Sequence, residues 1–265
     1  MSYQLILLDI FSFIYKQAYA CIFGGFLLGM IIITRYYYPL GAVLYRYDFL
    51  FFWAVIFQII LIVTKLESWK EAGVIALFHI VAMGMELFKT DPSIGSWSYP
   101  EPFTIGILSV PFFVGFMYSA VGSYIARVWR IFGFEFSHYP KKIYTIILAV
   151  AIYTNFFTHH FMVDLRYIIL ACVLILFWRT RIYFKPRQSY YSMNLAFGFF
   201  LVSLFIWIAE NIATYSKVWI YPSQAQSWHM VWGEKILAWF LLMIISFVLV
   251  SLIQSPENYR WEHSK

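Results

Sequence analysis

The chain has 265 residues, of which 62% are hydrophobic, 23% aromatic and 12% charged. That leaves too little polar surface to clothe a soluble globule, and the composition reads as an integral membrane protein. The formal charge of +6 falls between apolar stretches, so it points to membrane topology; no nucleic-acid module accompanies it.

At about 20 apolar residues per crossing, the pattern predicts an all-α, polytopic membrane helix bundle of about eight transmembrane helices. Residues 5–15, interrupted by Asp9 and closed by Lys16, are too short to span and read as an interfacial helix within 1–16. No basic leader or small-residue cleavage site is seen there, so no cleaved signal peptide is expected. The predicted spans are 17–34, 47–64, 71–87 and 103–126 in a first half, 17–126, and 143–158, 165–178, 193–212 and 236–253 in a second, 143–253, before a tail, 254–265. Gly25 and Gly29 in the first span, and Gly115, Ser119 and Ser123 in the fourth, place small residues at four-residue spacing, which permits close backbone approach. Pro111 is expected to kink the fourth span. Cys21 and Cys172 lie far apart in apolar stretches and read as small hydrophobes.

Sidedness follows from the cations. With a cytoplasmic N-terminus the inner side holds thirteen: Lys16, Lys65, Lys70, Arg127, Arg130, Lys141, Lys142, Arg179, Arg181, Lys185, Arg187, Arg260 and Lys265. The outer side holds six, namely Arg35, Arg46, Lys89, Arg166, Lys217 and Lys235. This obeys the positive-inside rule and places both termini in the cytoplasm. The pairs Lys141 and Lys142 and the cluster from Arg179 to Arg187 are topology signals first, with contact to anionic lipid a secondary role.

One phrase occurs twice, each time where an apolar segment ends. Glu86, Thr90, Trp97, Tyr99 and Pro100 form E-x3-T-x6-W-x-Y-P, and Glu210, Thr214, Trp219, Tyr221 and Pro222 form E-x3-T-x4-W-x-Y-P. A carboxylate at the end of a hydrophobic helix is costly, and two in matching contexts point to one outer-side site built from two related hairpins. Four crossings separate the copies, as in two parallel four-helix repeats.

Glu86 follows His79 by seven residues, on one helical face. It either pairs with Lys89 at headgroup depth or serves as an intramembrane acid or ligand-binding carboxylate. Glu210 has no cation within a turn and Asn211 beside it, so it is expected to be neutral or to face a partner across the bundle. His159, His160 and Asp164 fall on the same outer side, with Asn155 one turn before His159. An imidazole and carboxylate set suits zinc or iron, with His79, His229 or Glu86 to complete it. No H-x3-H or H-E-x2-H element is present, and neither a metal nor any other cofactor is assigned. Arg166 is either the ion-pair partner of Asp164 or an anchor for an anion. Trp97, Tyr99, Trp219, Tyr221 and Trp228 fit an interfacial aromatic belt. Their placement after Glu and Thr, with Pro fixing an extended turn, also fits the walls of a substrate pocket.

The chain resembles a family of uncharacterised bacterial membrane proteins, the YoaT-like proteins. The resemblance rests on Gly95-Ser96-Trp97-Ser98-Tyr99-Pro100-Glu101-Pro102, on Gly115 to Tyr124, on Asn155-Phe156-Phe157-Thr158-His159-His160 with Asp164-Leu165-Arg166, and on Glu210-Asn211 with Trp219-Ile220-Tyr221-Pro222. It implies a bacterial cytoplasmic membrane location and no assigned activity. A fainter likeness is to carotenoid hydratases and lycopene cyclases, through Glu86, Gly95, Trp97, Tyr99, Val110 and Pro111. That likeness implies protonation of an isoprenoid double bond by a buried carboxyl among cation-stabilising rings. Phe112 and Phe113 stand where the cyclases carry acidic residues, a departure from that chemistry.

Two readings result. One is an intramembrane enzyme acting on a lipid or isoprenoid, with Glu86 and Glu210 exchanging protons and the segment from His159 to Arg166 assisting. The other is a proton- or cation-coupled transporter or small-ligand-binding protein that uses the same carboxylates. A metal-dependent lipid hydrolase would need a converging histidine set.

Overall fold

The computed structural model describes residues 3–39 and 41–258; Arg260 and Lys265, counted above as inner cations, and the predicted tail beyond residue 258 lie outside the described residues. Most of the described chain is helical: α1 (Tyr3–Ala20), α2 (Ile22–Tyr37), α3 (Arg46–Val63), α4 (Trp69–Lys89), α5 (Phe113–Phe132), α6 (Lys142–Thr158), α7 (Arg166–Phe177), α8 (Leu195–Tyr215) and α9 (Lys235–Ser251). Helices α3, α4 and α8 are long and apolar enough to cross a membrane, and α1 with α2 forms a fourth such length bent by 65° at Cys21. Helices α6, α7 and α9 are apolar but shorter. Ile143, Ile147 and Val150 on α6 and Ile168 and Ile175 on α7 are exposed, an outward face suited to lipid contact.

Local chemistry sets the ends of these helices. Ser68 and Glu71 form a reciprocal capping box at the start of α4, satisfying two backbone donors. The Asn194 side chain accepts from the Ala196 and Phe197 amides to start α8. Gly133, at φ +60°, ends α5 in the left-handed region.

Three expectations need correction. Helix α1 continues to Ala20, and the next helix starts at Ile22, not at residue 17. The helix within the predicted fourth span starts at Phe113, not at residue 103. The apolar run before it is held extended because the Asp48 carboxylate accepts the Thr104 and Ile105 amides, and because Pro111 cannot donate. It closes as a two-residue hairpin, β1 (Gly106–Ile107) and β2 (Val110–Pro111), so Pro111 precedes the helix and does not kink it. A Cβ at Gly106 would lie 2.5 Å from both the Phe103 ring and the Val110 carbonyl, so this tight turn needs glycine.

The bundle is also not purely helical. Strands β3 (Glu135–Ser137), β4 (Arg181–Phe184), β5 (Tyr191–Asn194) and β6 (Glu257–Asn258) form a small sheet in the order β5-β4-β3-β6. It gathers the α5–α6 and α7–α8 connections and the segment after α9 at one end of the bundle. The sequence hides these strands because each is shorter than a helical turn or two and lies between stronger apolar runs.

Helices α4 and α5 share the closest seam. The Gly115 position lies against the His79 ring, where a Cβ would stand 2.3 Å away, and Gly122 faces Phe78. Ser119 donates to the Ile75 carbonyl at 3.1 Å. The small-residue row on α5 therefore acts as predicted, whereas Gly25 and Gly29 have no neighbour within 4 Å of a Cβ. At the sheet end of this seam Arg127 is 1% exposed and paired with Glu67 at 2.7 Å. It is a buried structural cation.

Candidate functional site

The opposite end is organised by the repeated phrase. Ser98 and Ile220, each between the Trp and Tyr of its copy, exchange two backbone hydrogen bonds, of 3.0 and 2.9 Å, in an antiparallel bridge. Alternate residues of an extended strand point to one face, so this pairing sends the flanking aromatic residues of the two loops toward common ground. Trp97 and Tyr221 meet edge to face, with centroids 6.2 Å apart.

Each carboxyl is then held by its own loop and by the next helix. Glu86, 1% exposed, accepts from Trp97 Nε1 (2.8 Å) and Tyr99 OH (2.7 Å) at Oε2, and from Tyr118 OH (2.6 Å) on α5 at Oε1. Glu210, 2% exposed, accepts from Tyr221 OH at 2.5 Å and from Trp239 Nε1 on α9 at 2.7 Å. Burial first, then the adjacent Glu86 charge, hold the Tyr99 phenol well above its ordinary range; burial and Glu210 do the same to Tyr221. Both phenols stay protonated and donate. The predicted Glu86–Lys89 ion pair does not form, because Glu86 is fully engaged by these donors.

Lys89 turns instead to the α6–α7 connection. Its ammonium lies 2.7 Å from His160 Nε2 and 3.4 Å from His159 Nε2. His159 Nδ1 meets the Asn155 carbonyl at 2.8 Å, which assigns the ring proton there and leaves Nε2 as an acceptor. Partial burial, then Lys89 and His159, push His160 down to about 4. Burial alone would raise Asp164, but the Arg166 amide, the Asn155 side chain and the Arg166 guanidinium prevail and hold it below its ordinary range. Arg166 Nε meets Asp164 at 2.5 Å, so the two form an ion pair. Among the described residues no group of three or more His, Cys, Asp or Glu is placed to hold a metal. His79 packs on Phe116 and His229 meets the Ser223 and Met230 carbonyls, so neither joins His159 and His160.

A cavity of about 1050 Å³ runs between α2, α5, α8 and α9. Its walls include Glu86, Trp97, Tyr99, Tyr118, Glu210 and Trp239, with Trp219, Tyr221, Lys89, His159, Arg166 and Lys235 at the same end. His160, Asp164 and Asn211 are not part of its lining. Asn211 accepts the Val231 amide at 2.8 Å and so fixes the loop before α9. The motif threonines are likewise structural: Thr90 donates to the Glu86 carbonyl and meets Ser109, and Thr214 takes the Trp228 indole. Tyr118, Trp239 and Lys235 complete the site without having been singled out in the sequence. The available signal was the position of Tyr118 and Trp239 about 30 residues beyond each glutamate, on the next helix.

A helical bundle with several membrane-length apolar helices, and a pair of buried glutamates caged by Tyr and Trp, defines the class. Within it, the family described as "Protein of unknown function (DUF817)" matches residues 9–247, and the chain belongs to that family. It is 40% identical over 261 residues to "Uncharacterized protein YoaT" of Bacillus subtilis (strain 168), covering 97% of each chain. No solved structure matches.

Proposed function

We propose that this is a multi-pass protein of the bacterial cytoplasmic membrane, with α2 to α9 as eight crossings and both termini cytoplasmic, that acts on a linear lipid or isoprenoid through Glu86 and Glu210. The observation that carries this reading is that both carboxyls, from separate copies of one phrase, border the same apolar cavity in matched Tyr and Trp settings. A carboxyl beside a phenol can pass a proton through the shared hydrogen bond, and the surrounding ring faces favour a developing carbocation.

The length of the cavity supports a long, thin ligand. Its wall follows α8 from Leu195 to Ala213, which at 1.5 Å per residue is about 27 Å. A bilayer's hydrocarbon core is about 30 Å, so the cavity runs well past the depth of one leaflet, where an ordinary acyl chain ends. That favours an isoprenoid-like chain. The same length also motivates the second reading, transport, since the cavity wall extends from Lys89 to Phe132 and Phe184 near the sheet.

The test compares lipid and isoprenoid extracts by mass spectrometry from cells making wild type or Glu210→Gln at equal abundance. A species gained or lost only with wild type is expected. Identical extracts would refute the enzyme, and proton or cation flux in proteoliposomes that falls when both glutamates become Gln would then establish transport.

A further inference from the structure

Lys89 is a cation that the proton chemistry above does not use. It is 5% exposed and borders the cavity. Its two polar contacts are imidazole nitrogens, which accept hydrogen bonds but supply no negative charge. The ion pairs among the described residues join Arg46 to Glu101, Arg127 to Glu67, Arg130 to Glu71 and Arg166 to Asp164; Lys89 is in none of them. An ammonium has three donors, so with two directed at His160 and His159 one remains for the cavity. Leaving a buried cation without a counter-charge is costly.

Two further cations share that end of the cavity. Lys235 Nζ stands 4.4 Å from the Tyr221 ring centroid and 5.9 Å from that of Trp97. Burial desolvates both Lys89 and Lys235; beyond that, the charges of Lys235, Arg166 and Asp164 act on Lys89, and those of Glu210 and Arg166 act on Lys235. Arg166 gives Nε to Asp164; no bond from its two terminal nitrogens appears among the described residues. Helices α7 and α9 begin at Arg166 and Lys235, so their positive dipole ends add to the same field. Of the carboxylates near these cations, Asp164 is held by Arg166 and Asn155, and Glu86 and Glu210 by Tyr and Trp; Glu234, exposed beside Lys235, also lines the cavity.

We propose that Lys89, Arg166 and Lys235 receive the phosphate or diphosphate head of an amphiphile whose apolar chain fills the cavity. This rests on the reading that the cavity holds such a chain, and it names the head. Phosphate suits the set: Lys supplies compact charge and Arg a planar fork. A hydroxyl head would leave Lys89 without a counter-charge.

The test uses the full chain in detergent micelles. It measures binding of a polyprenyl diphosphate, the matching neutral polyprenol and inorganic pyrophosphate through the fluorescence of the cavity tryptophans. The diphosphate should bind at least about tenfold tighter than the polyprenol, and Lys89→Gln should remove that preference while leaving polyprenol affinity unchanged. If Lys89→Gln does not fold, Arg166→Gln is the substitute, with a smaller but same-signed loss. Equal binding of diphosphate and polyprenol, in wild type and variant alike, would overturn the head site and leave the cavity reading standing. Failure of both tailed compounds to bind would overturn both. Pyrophosphate binding as tightly as the tailed diphosphate would overturn the amphiphile in favour of a free anion.

Discussion

Arg127→Met tests whether the cation at the sheet end of α5 is a structural partner or a topology charge. Arg127 and Glu67 are each 1% exposed and meet at 2.7 Å; Ser123 and Gln58 also donate to Glu67. Removing one member of a buried pair leaves the other charge uncompensated, at about 3–5 kcal/mol. At about 2–4 °C per kcal/mol for a chain somewhat smaller than this one, a 4 kcal/mol loss lowers the melting temperature by about 8–16 °C. Arg130 provides the contrast. It is 44% exposed and meets Glu71 at 3.2 Å, so Arg130→Met should cost about 0–1 kcal/mol. The double variant Glu67→Leu/Arg127→Met should recover most of the loss, since apolar replacement of a buried pair is commonly neutral or stabilising. The assay is retention of a monodisperse gel-filtration peak after heating in detergent. Equal shifts for Arg127→Met and Arg130→Met, or a double variant no better than the single, would refute the reasoning.

Two other outcomes follow from the geometry. Gly115→Ala places a methyl 2.3 Å from the His79 ring, so it should destabilise by about 1–3 kcal/mol; His79→Ala in the same chain should restore most of it, and additive losses in thermal stability would count against this packing. His160 sits at about 4 against an ordinary value near 6.5. Its unfolded form therefore takes up a proton first, and stability should fall as pH drops from about 6.5 toward 4. His160→Gln should flatten that part of the melting-temperature profile, with Lys89, His159, Asp164 and Arg166 unchanged; an unaltered profile would exclude His160 as the titrating group.

The parts of the site that were legible in the sequence are those with a high cost of accident. A carboxylate ending an apolar helix demands partners, so Glu86 and Glu210 stood out, and their partners Trp97, Tyr99 and Tyr221 lay within the same repeated phrase. Tyr118 and Trp239 did not, because an aromatic residue within a span has the same appearance whether it packs or donates. The pairing of Arg127 went unread for a related reason: a cation near a helix end looks alike solvated or paired. Its partner was nonetheless foreshadowed, since Glu67 and Glu71 flank the start of α4 and Arg127 and Arg130 lie near the end of α5, and the packing of α4 on α5 brings those ends together. The extended stretch before α5 was hidden by its apolar composition. Asp48, distant in sequence, decides its conformation by taking the Thr104 and Ile105 amides.

The bridge between Ser98 and Ile220 explains both what the two copies share and where they differ. In W-x-Y the outer residues face one way and the central residue contributes only its backbone to the pair, so Ser can stand in one copy and Ile in the other. The longer spacer of the first copy is taken up before the pairing begins: the Ile94 and Gly95 amides both return to the Asp91 carbonyl, and Gly95 adopts φ +58°. Beyond the bridge the copies diverge, for Trp97 donates to Glu86 while Glu210 takes its indole from Trp239 on α9. Glu86 thereby gains three donors and Glu210 two. The two carboxyls are thus alike in position and differently supported: Glu86 by three hydrogen-bond donors, Glu210 by two donors and the charge of Lys235. An unequal pair of this kind can divide the roles of proton donor and acceptor, because proton exchange needs groups whose environments differ.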